Sequence, residues 1–170
     1  LVLPFVTAFN ELLTTIVMKI HLYVLIEDLV VPIEVRMVGA VLRYLFGVET
    51  SVTSSLLYLH AMDRAVTVRI GWNCIGWQSL IVYCFTIFTG LRGSFTRTSK
   101  ALCTLIGLQG TILLNTTRIV LVILITLFWG GLPSLIFHDY VGTFILVIWL
   151  IAFWEFSYRY ILQPIPGAID

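Results

Sequence analysis

The amino-acid sequence predicts an all-α polytopic membrane protein, a helical bundle of about five to six membrane helices with a short strand-like extracytoplasmic hairpin. Of the 170 residues, 59% are hydrophobic and 11% are charged, and the mean hydropathy is +1.03. Soluble proteins are roughly half apolar and about a quarter charged, so this chain has too little polar surface for a water-soluble domain. We expect residues 1–170 to form a single transmembrane domain.

Two stretches of the chain are almost free of charge. Between Ala101 and Phe137 the only Asp, Glu, Lys, Arg or His residue is Arg118, and Cys74–Leu91 contains none. Stretches of this length and composition are typical of helices in lipid. The net charge of +1, with no extended basic run, indicates no nucleic-acid partner.

The N-terminal part is predicted to form two helices. Residues 1–26 are largely apolar with a few polar interruptions, which indicates an imperfect span that we expect to be retained in the mature protein. A second helix is predicted over Ile33–Phe46, because Pro32 suits a helix start and Gly47 suits a helix end.

A polar segment follows, from residue 48 to residue 73. Serine, threonine and charged residues recur every few positions, and Ser54–Ile70 predicts two short strands about a turn at Ala61–Arg64. We expect residues 48–73 to form a hairpin that is exposed to water on the extracytoplasmic side.

The topology follows from the positions of basic residues. A span is predicted from Cys74 to Leu91, and the basic loop 92–100 after it is cytoplasmic by the positive-inside rule. Arg159, just past the apolar run Tyr140–Trp154, marks a second cytoplasmic end. The N-terminal ends of these two spans then face the outside of the cell membrane.

The path of residues 119–131 has three alternatives. A single straight helix from Lys100 would carry this apolar stretch beyond the outer interface, because residue 118 is already about 27 Å along it. The helix is tilted, or it breaks near Gly107 and Gly110, or residues 119–129 fold back into the membrane.

Three polar side chains are predicted to meet at the outer interface. At about 1.5 Å per helical residue, Cys74, Arg118 and His138 each lie about 27 to 31 Å from the basic residue at the inner end of their own helix. Three separate helices therefore bring a thiol, a guanidinium and an imidazole to one depth, which predicts a catalytic site.

The three side chains are suited to acyl transfer. A cysteine at a helix start, near the positive Arg118, is favoured as a thiolate nucleophile. His138 can take up or release a proton near neutral pH, and Arg118 can stabilise the thiolate or an oxyanion. Asn115, one turn before Arg118, can orient it or donate to the same oxygen, and Asn73 is a second supporting residue.

The hairpin supplies candidate substrate-binding residues, Asp63, Arg64 and Arg69, although solvated loop residues of this kind are common on any surface. We expect no metal and no cofactor, because Arg118 would repel a cation from a site made by Cys74, His138 and His60. A competing hypothesis is a non-enzymatic transporter or assembly scaffold, in which Arg118 binds an anionic group or pairs with Glu34 or Asp139.

The order of these residues resembles the exosortase/archaeosortase family. The resemblance is carried by Trp72–Gly76 at the start of a span, by Asn115–Ile119 in the next apolar run and by His138 before the last span. Many members have a serine after the cysteine, where this chain has Ile75, so the subfamily stays open.

The resemblance implies an activity, a partner and a location. Family members are membrane-embedded cysteine transpeptidases or proteases of prokaryotic plasma membranes, with the active site at the extracytoplasmic face. They cleave C-terminal sorting signals of membrane-anchored surface proteins, and membrane lipids surround them. By this resemblance Cys74 is the nucleophile, Arg118 the family arginine and His138 the general acid and base.

Overall fold

The structure, a computed structural model, describes residues 11, 14–15, 17–19, 21–61, 64–130, 133–134, 137 and 142–165. Helices make up most of the described chain, and a small antiparallel sheet lies between the N-terminal helices and the remaining ones in sequence order.

The first well-described segment is a helix in three parts. Helix α1 (Leu22–Leu25) continues through a π-helical turn (Ile26–Val30) into helix α2 (Val31–Phe46). A proline occupies the first turn of α2, and Gly47, with a left-handed φ of +65°, ends it. Glycine adopts this conformation without a steric penalty, which confirms the predicted helix end.

The sheet has three strands in the order β1 (Glu49–Thr53), β2 (Leu56–Ala61) and β3 (Arg64–Arg69). Strands β2 and β3 are the two predicted strands, with Leu57 paired to Val68. Strand β1 was not predicted, because its side chains are mostly polar and exposed and lack an alternating apolar pattern. It pairs with β2 and packs against α2.

Three helices follow the sheet. Helix α3 (Trp77–Gly90) has 14 residues, helix α4 (Arg97–Trp129) has 33, and helix α5 (Gly142–Phe156) continues into a second π-helical segment (Ser157–Ile161). The predicted basic loop 92–100 is therefore too long. Its last four residues form the first turn of α4, where the Thr96 side chain accepts a hydrogen bond from the Ser99 backbone N–H.

Two apolar clusters hold the described chain together. The sheet-end cluster joins α2, β2 and the C-terminal half of α4. Its buried members are Val17, Ile26, Val31, Val35, Val38, Leu42, Leu57, Leu59, Ile70, Ile75, Trp77, Ile119, Val120 and Ile123. The helix-end cluster joins α3, the N-terminal half of α4 and α5. Its buried members are Tyr83, Cys103, Leu150, Phe153, Ile161 and Leu162.

The prediction of five to six membrane helices is wrong. Within the described ranges, two helices are long and apolar enough to cross a membrane, Arg97–Trp129 and Phe144–Ile161. Helix α3 rises only about 21 Å, short of a hydrocarbon core about 30 Å thick. The helix from Leu22 to Phe46 has the length but carries five charged residues, Glu27, Asp28, Glu34, Arg36 and Arg43.

The two long apolar helices differ from the core helices of a soluble protein. Only 33% and 22% of their most apolar windows are buried inside the chain. Large apolar side chains point outward instead, including Leu105, Phe144 and Ile151, which are 64–69% exposed. Surfaces of this kind fit contact with lipid.

Helix α4 also answers the question of residues 119–131. It runs unbroken through Gly107, Gly110 and Arg118 to Trp129, so the predicted break and the predicted fold-back before residue 129 are both wrong. Its residues Ile119 and Ile123 are buried in the sheet-end cluster. This half of α4 packs against α2 and belongs to the apolar cluster that also contains Leu57 and Leu59 of the sheet.

Candidate functional site

Cys74 lies in a tight turn between the sheet and α3. It ends a short 3₁₀ turn (Trp72–Cys74), its backbone N–H donates to the Gly71 carbonyl at 2.9 Å, and its side chain is half-buried. The predicted position on the first turn of a helix is wrong by three residues, because Gly76 adopts a left-handed φ of +66° before α3 begins at Trp77.

Asn115 links Cys74 to the middle of α4. Its Nδ2 donates to the Cys74 carbonyl oxygen at 3.2 Å and to Glu34 Oε1 at 3.2 Å. The amide lies so close to Gly76 that a Cβ there would be 2.5 Å from Asn115 Oδ1. Residue 76 must therefore be glycine for two reasons, its left-handed backbone and this contact.

Glu34 on α2 is the acceptor at the centre of this group. Its side chain is buried, and Thr116 Oγ1 donates to the same Oε1 at 3.0 Å. Burial raises the pKa of the Glu34 carboxyl above its ordinary value, and the hydrogen bonds from Thr116 and Asn115 lower it in part. Sequence reasoning considered Glu34 only as a partner for Arg118 and missed its bonds to the two neighbouring polar residues of α4.

Arg118 lies one helical turn after Asn115 on α4, where α3, α4 and α5 meet. A Cβ at Gly142 would collide with the Arg118 guanidinium, so the start of α5 packs directly on this side chain. A small pocket opens beside it. The pocket is lined by Ser79, Thr111, Leu114, Asn115, Arg118, Gly142, Ile145 and Leu146. Asn115 thus contacts the Cys74 backbone and also forms part of the wall beside Arg118.

Aromatic rings flank the cysteine on both sides. The Trp72 and Trp77 ring centroids are 6.0 Å apart, and Tyr23 lies 6.1 Å from Trp72. Trp77 is buried in the sheet-end cluster. Cys74 packs, partly buried, against the same cluster.

The other predicted site residues have different outcomes. His138 and Asp63 lie outside the described residues. Asn73 lies in the 3₁₀ turn and Arg64 begins β3, and the structure describes their backbones only. Arg69 contacts Glu27 in an exposed ion pair of 3.2 Å, which joins the sheet to the π-helical turn.

The structure therefore brings Cys74, Asn115 and the Arg118 turn together, and adds Glu34 and Thr116 to them. Comparison of the chain with protein-family models, with curated proteins and with solved structures gave no match. A function for this site is accordingly inferred from its own residues and their contacts.

Proposed function

We propose that this chain is a membrane-embedded cysteine peptidase or transpeptidase of the exosortase/archaeosortase type. It cleaves C-terminal sorting signals of membrane-tethered surface proteins through a thioacyl intermediate. The observation that carries the proposal is the hydrogen bond from Asn115 to the Cys74 carbonyl, which holds the cysteine turn against α4 one helical turn from Arg118. A thiol and a guanidinium from distant parts of the sequence are thereby held on neighbouring elements.

The proposed reaction begins with the Cys74 thiolate. Its sulfur bonds to the carbonyl carbon of the scissile peptide, and the C–N bond breaks as His138 protonates the leaving amine. The acyl group stays on sulfur as a thioester until water, an amine or a lipid head group displaces it. Arg118 stabilises the negative charge on the thiolate or on the tetrahedral oxyanion.

Asn115 has a positioning role in this proposal rather than the donor role expected from sequence. An amide has two N–H groups, and Asn115 uses them on the Cys74 carbonyl and on Glu34. No hydrogen remains for a substrate oxygen. Its Oδ1, which is buried and has no hydrogen-bond partner among the described atoms, is left as an acceptor.

A membrane setting suits this reaction. Within the part of the chain that the structure describes, two helices are long and apolar enough to cross a bilayer, and their outward faces are apolar. A substrate anchored by its own helix diffuses in the same plane and presents its cleavage site at the same depth. We place the site at the extracytoplasmic face of a prokaryotic plasma membrane.

The proposal is tested by cleavage in cells. The chain is co-expressed with membrane-anchored proteins of the same genome that end in a short polar motif, a single helix and a basic, epitope-tagged tail. The unaltered chain should release the tag, and Cys74→Ala should abolish release because the nucleophile is gone. Cys84→Ala, a matched change of an exposed cysteine on α3, should leave release unchanged. Continued tag release by Cys74→Ala would rule out the cysteine mechanism.

A second candidate function is binding of an anionic group by a non-enzymatic transporter or scaffold. The pocket beside Arg118, with Ser79 and Thr111 in its wall, favours this alternative. Substitution of Cys74 distinguishes the two functions, because anion binding needs Arg118 and does not need the Cys74 sulfur.

A further inference from the structure

We infer that Glu34 is a positioning residue for Cys74, acting through the amide of Asn115; this inference rests on the proposed function. The connection runs from the Glu34 carboxyl to Asn115 Nδ2 and from the same nitrogen to the Cys74 carbonyl, at 3.2 Å in each case. It joins α2, α4 and the turn before α3, which are distant in sequence.

Glu34 determines which way the Asn115 amide faces. The amide nitrogen lies between two acceptors, the Glu34 carboxyl oxygen and the Cys74 carbonyl. A flipped amide would set its oxygen against both of them, which is repulsive. With Glu34 in place, Nδ2 holds the Cys74 peptide and Oδ1 faces Gly76.

The burial of the hydrogen-bonded polar side chains favours a role in orienting Asn115 over a role in stability alone. Glu34, Asn115 and Thr116 are 3–6% exposed in otherwise apolar surroundings. Burying polar groups costs free energy unless they are hydrogen-bonded, and well-packed apolar residues usually serve stability as well or better. The polar set gives instead a fixed orientation of the residue that holds the cysteine turn.

The prediction concerns the pH dependence of Cys74 alkylation. In Glu34→Ala the Asn115 amide loses its anchor and the cysteine turn moves away from the Arg118 region. The pH of half-maximal alkylation should then rise by about one unit, and the rate at pH 7 should fall roughly tenfold. The full chain is purified in detergent, treated with iodoacetamide and analysed for each cysteine-containing peptide by mass spectrometry.

The direction of the shift in half-maximal pH distinguishes loss of positioning from the mere loss of the Glu34 charge. Removing a negative charge near a thiol stabilises the thiolate, which would lower the half-maximal pH. Glu34→Gln keeps an oxygen acceptor for Asn115 and should not raise the half-maximal pH. Glu27→Ala is the matched control. Glu27 lies in the π-helical turn before α2 and forms an exposed ion pair, so its removal should have no effect on Cys74 alkylation.

Two further measurements distinguish unfolding of a variant from loss of Cys74 positioning. Cys103 is fully buried, so its alkylation reports unfolding of a variant. If Glu34→Ala exposes Cys103, Thr116→Val decides instead, because it removes one bond to Glu34 and should slow Cys74 alkylation roughly threefold at pH 7.

Three results would count against these claims. An unchanged or lowered half-maximal pH in a folded Glu34→Ala variant overturns the role of Glu34 alone. If Glu34→Ala is unfolded, a Thr116→Val variant whose Cys74 is alkylated at the unaltered rate also overturns the role of Glu34. A half-maximal pH near that of an ordinary thiol, about 8.5, in the unaltered chain would instead remove the reactive cysteine and with it the proposed function.

Discussion

The sheet-end cluster and the helix-end cluster are both apolar, but their packing differs. In the sheet-end cluster, aliphatic side chains such as Val35 and Leu57 are fully enclosed by α2, the sheet and α4. In the helix-end cluster, aromatic rings lie directly on glycines of α4: a Cβ at Gly107 would be 2.5 Å from Phe153 and 2.6 Å from Tyr83.

In the proposed membrane setting, the difference corresponds to two solvents, water around the sheet end and lipid around the helix end. Enclosing aliphatic side chains removes them from water, which drives folding of the sheet end. Helices in lipid gain nothing from hiding apolar surface, so they associate through close contacts at small residues and through interhelical hydrogen bonds. At the helix end such a bond joins the Trp149 indole to Thr111 at 3.3 Å. The polar group around Asn115 lies at the boundary between the two clusters.

The largest loss of stability is expected from truncating a buried side chain in the sheet-end cluster. Leu57 is fully buried, so Leu57→Ala should lower the free energy of unfolding by about 2–5 kcal/mol. Ile151 is 67% exposed on α5, and Ile151→Ala should change stability little in a bilayer. Thermal unfolding of both variants in lipid nanodiscs makes the measurement. Equal losses would mean that the two regions do not differ as described.

A smaller effect is expected from filling the glycine contact at the helix end. Gly107→Ala should destabilise the chain by about 1–3 kcal/mol, because the methyl group forces the Tyr83 and Phe153 rings apart. Gly39→Ala in α2 is the counterpart and should cost less, since its new methyl meets the single methyl group Val52 Cγ2 most closely, at 2.8 Å. A Gly107→Ala variant as stable as the original would show that helix propensity outweighs the contact.

The smallest effect is expected from the surface of the sheet end. The Arg69 and Glu27 side chains are 70% and 30% exposed, so their ion pair should contribute no more than about 1 kcal/mol. A double-mutant cycle of Arg69→Ala and Glu27→Ala, measured by unfolding, gives the coupling. It should shrink further in high salt, and a large, salt-insensitive coupling would contradict an exposed pair.

Some features of the fold could be predicted from local sequence alone. Gly47 correctly marked the end of α2, and the segment Ser54–Ile70 correctly indicated β2 and β3, whereas the predicted helix start at Pro32 is wrong because the chain is already helical from Leu22. The number of membrane helices could not be predicted from apolar content, because α3 is apolar but too short to cross a bilayer, and Ile119, Val120 and Ile123 of α4 are buried in the sheet-end cluster. Composition records how much apolar surface exists and not which solvent it faces.

The site was predictable to a similar extent. A lone arginine preceded by Asn115 in an apolar helix drew attention to the turn of α4 that contacts Glu34 and the Cys74 carbonyl. The hydrogen bonds to Glu34 could not be predicted, since the bond from Asn115 spans 81 positions and an acid in a charged helix resembles a solvated residue. The position of Cys74 before α3 depended on the backbone of Gly76, which the cysteine pattern does not reveal.

The unbroken length of α4 has a mechanical consequence. From Lys100 to Arg118 the helix rises about 27 Å, and Ile119, Val120 and Ile123 beyond it are buried in the sheet-end cluster. In the proposed membrane setting, this unbroken helix fixes the distance between the sheet and the lipid. A thicker bilayer would draw the cysteine turn toward the acyl chains, and a thinner one would lift it into the head groups, so membrane thickness becomes a determinant of which peptide bonds can reach the thiol.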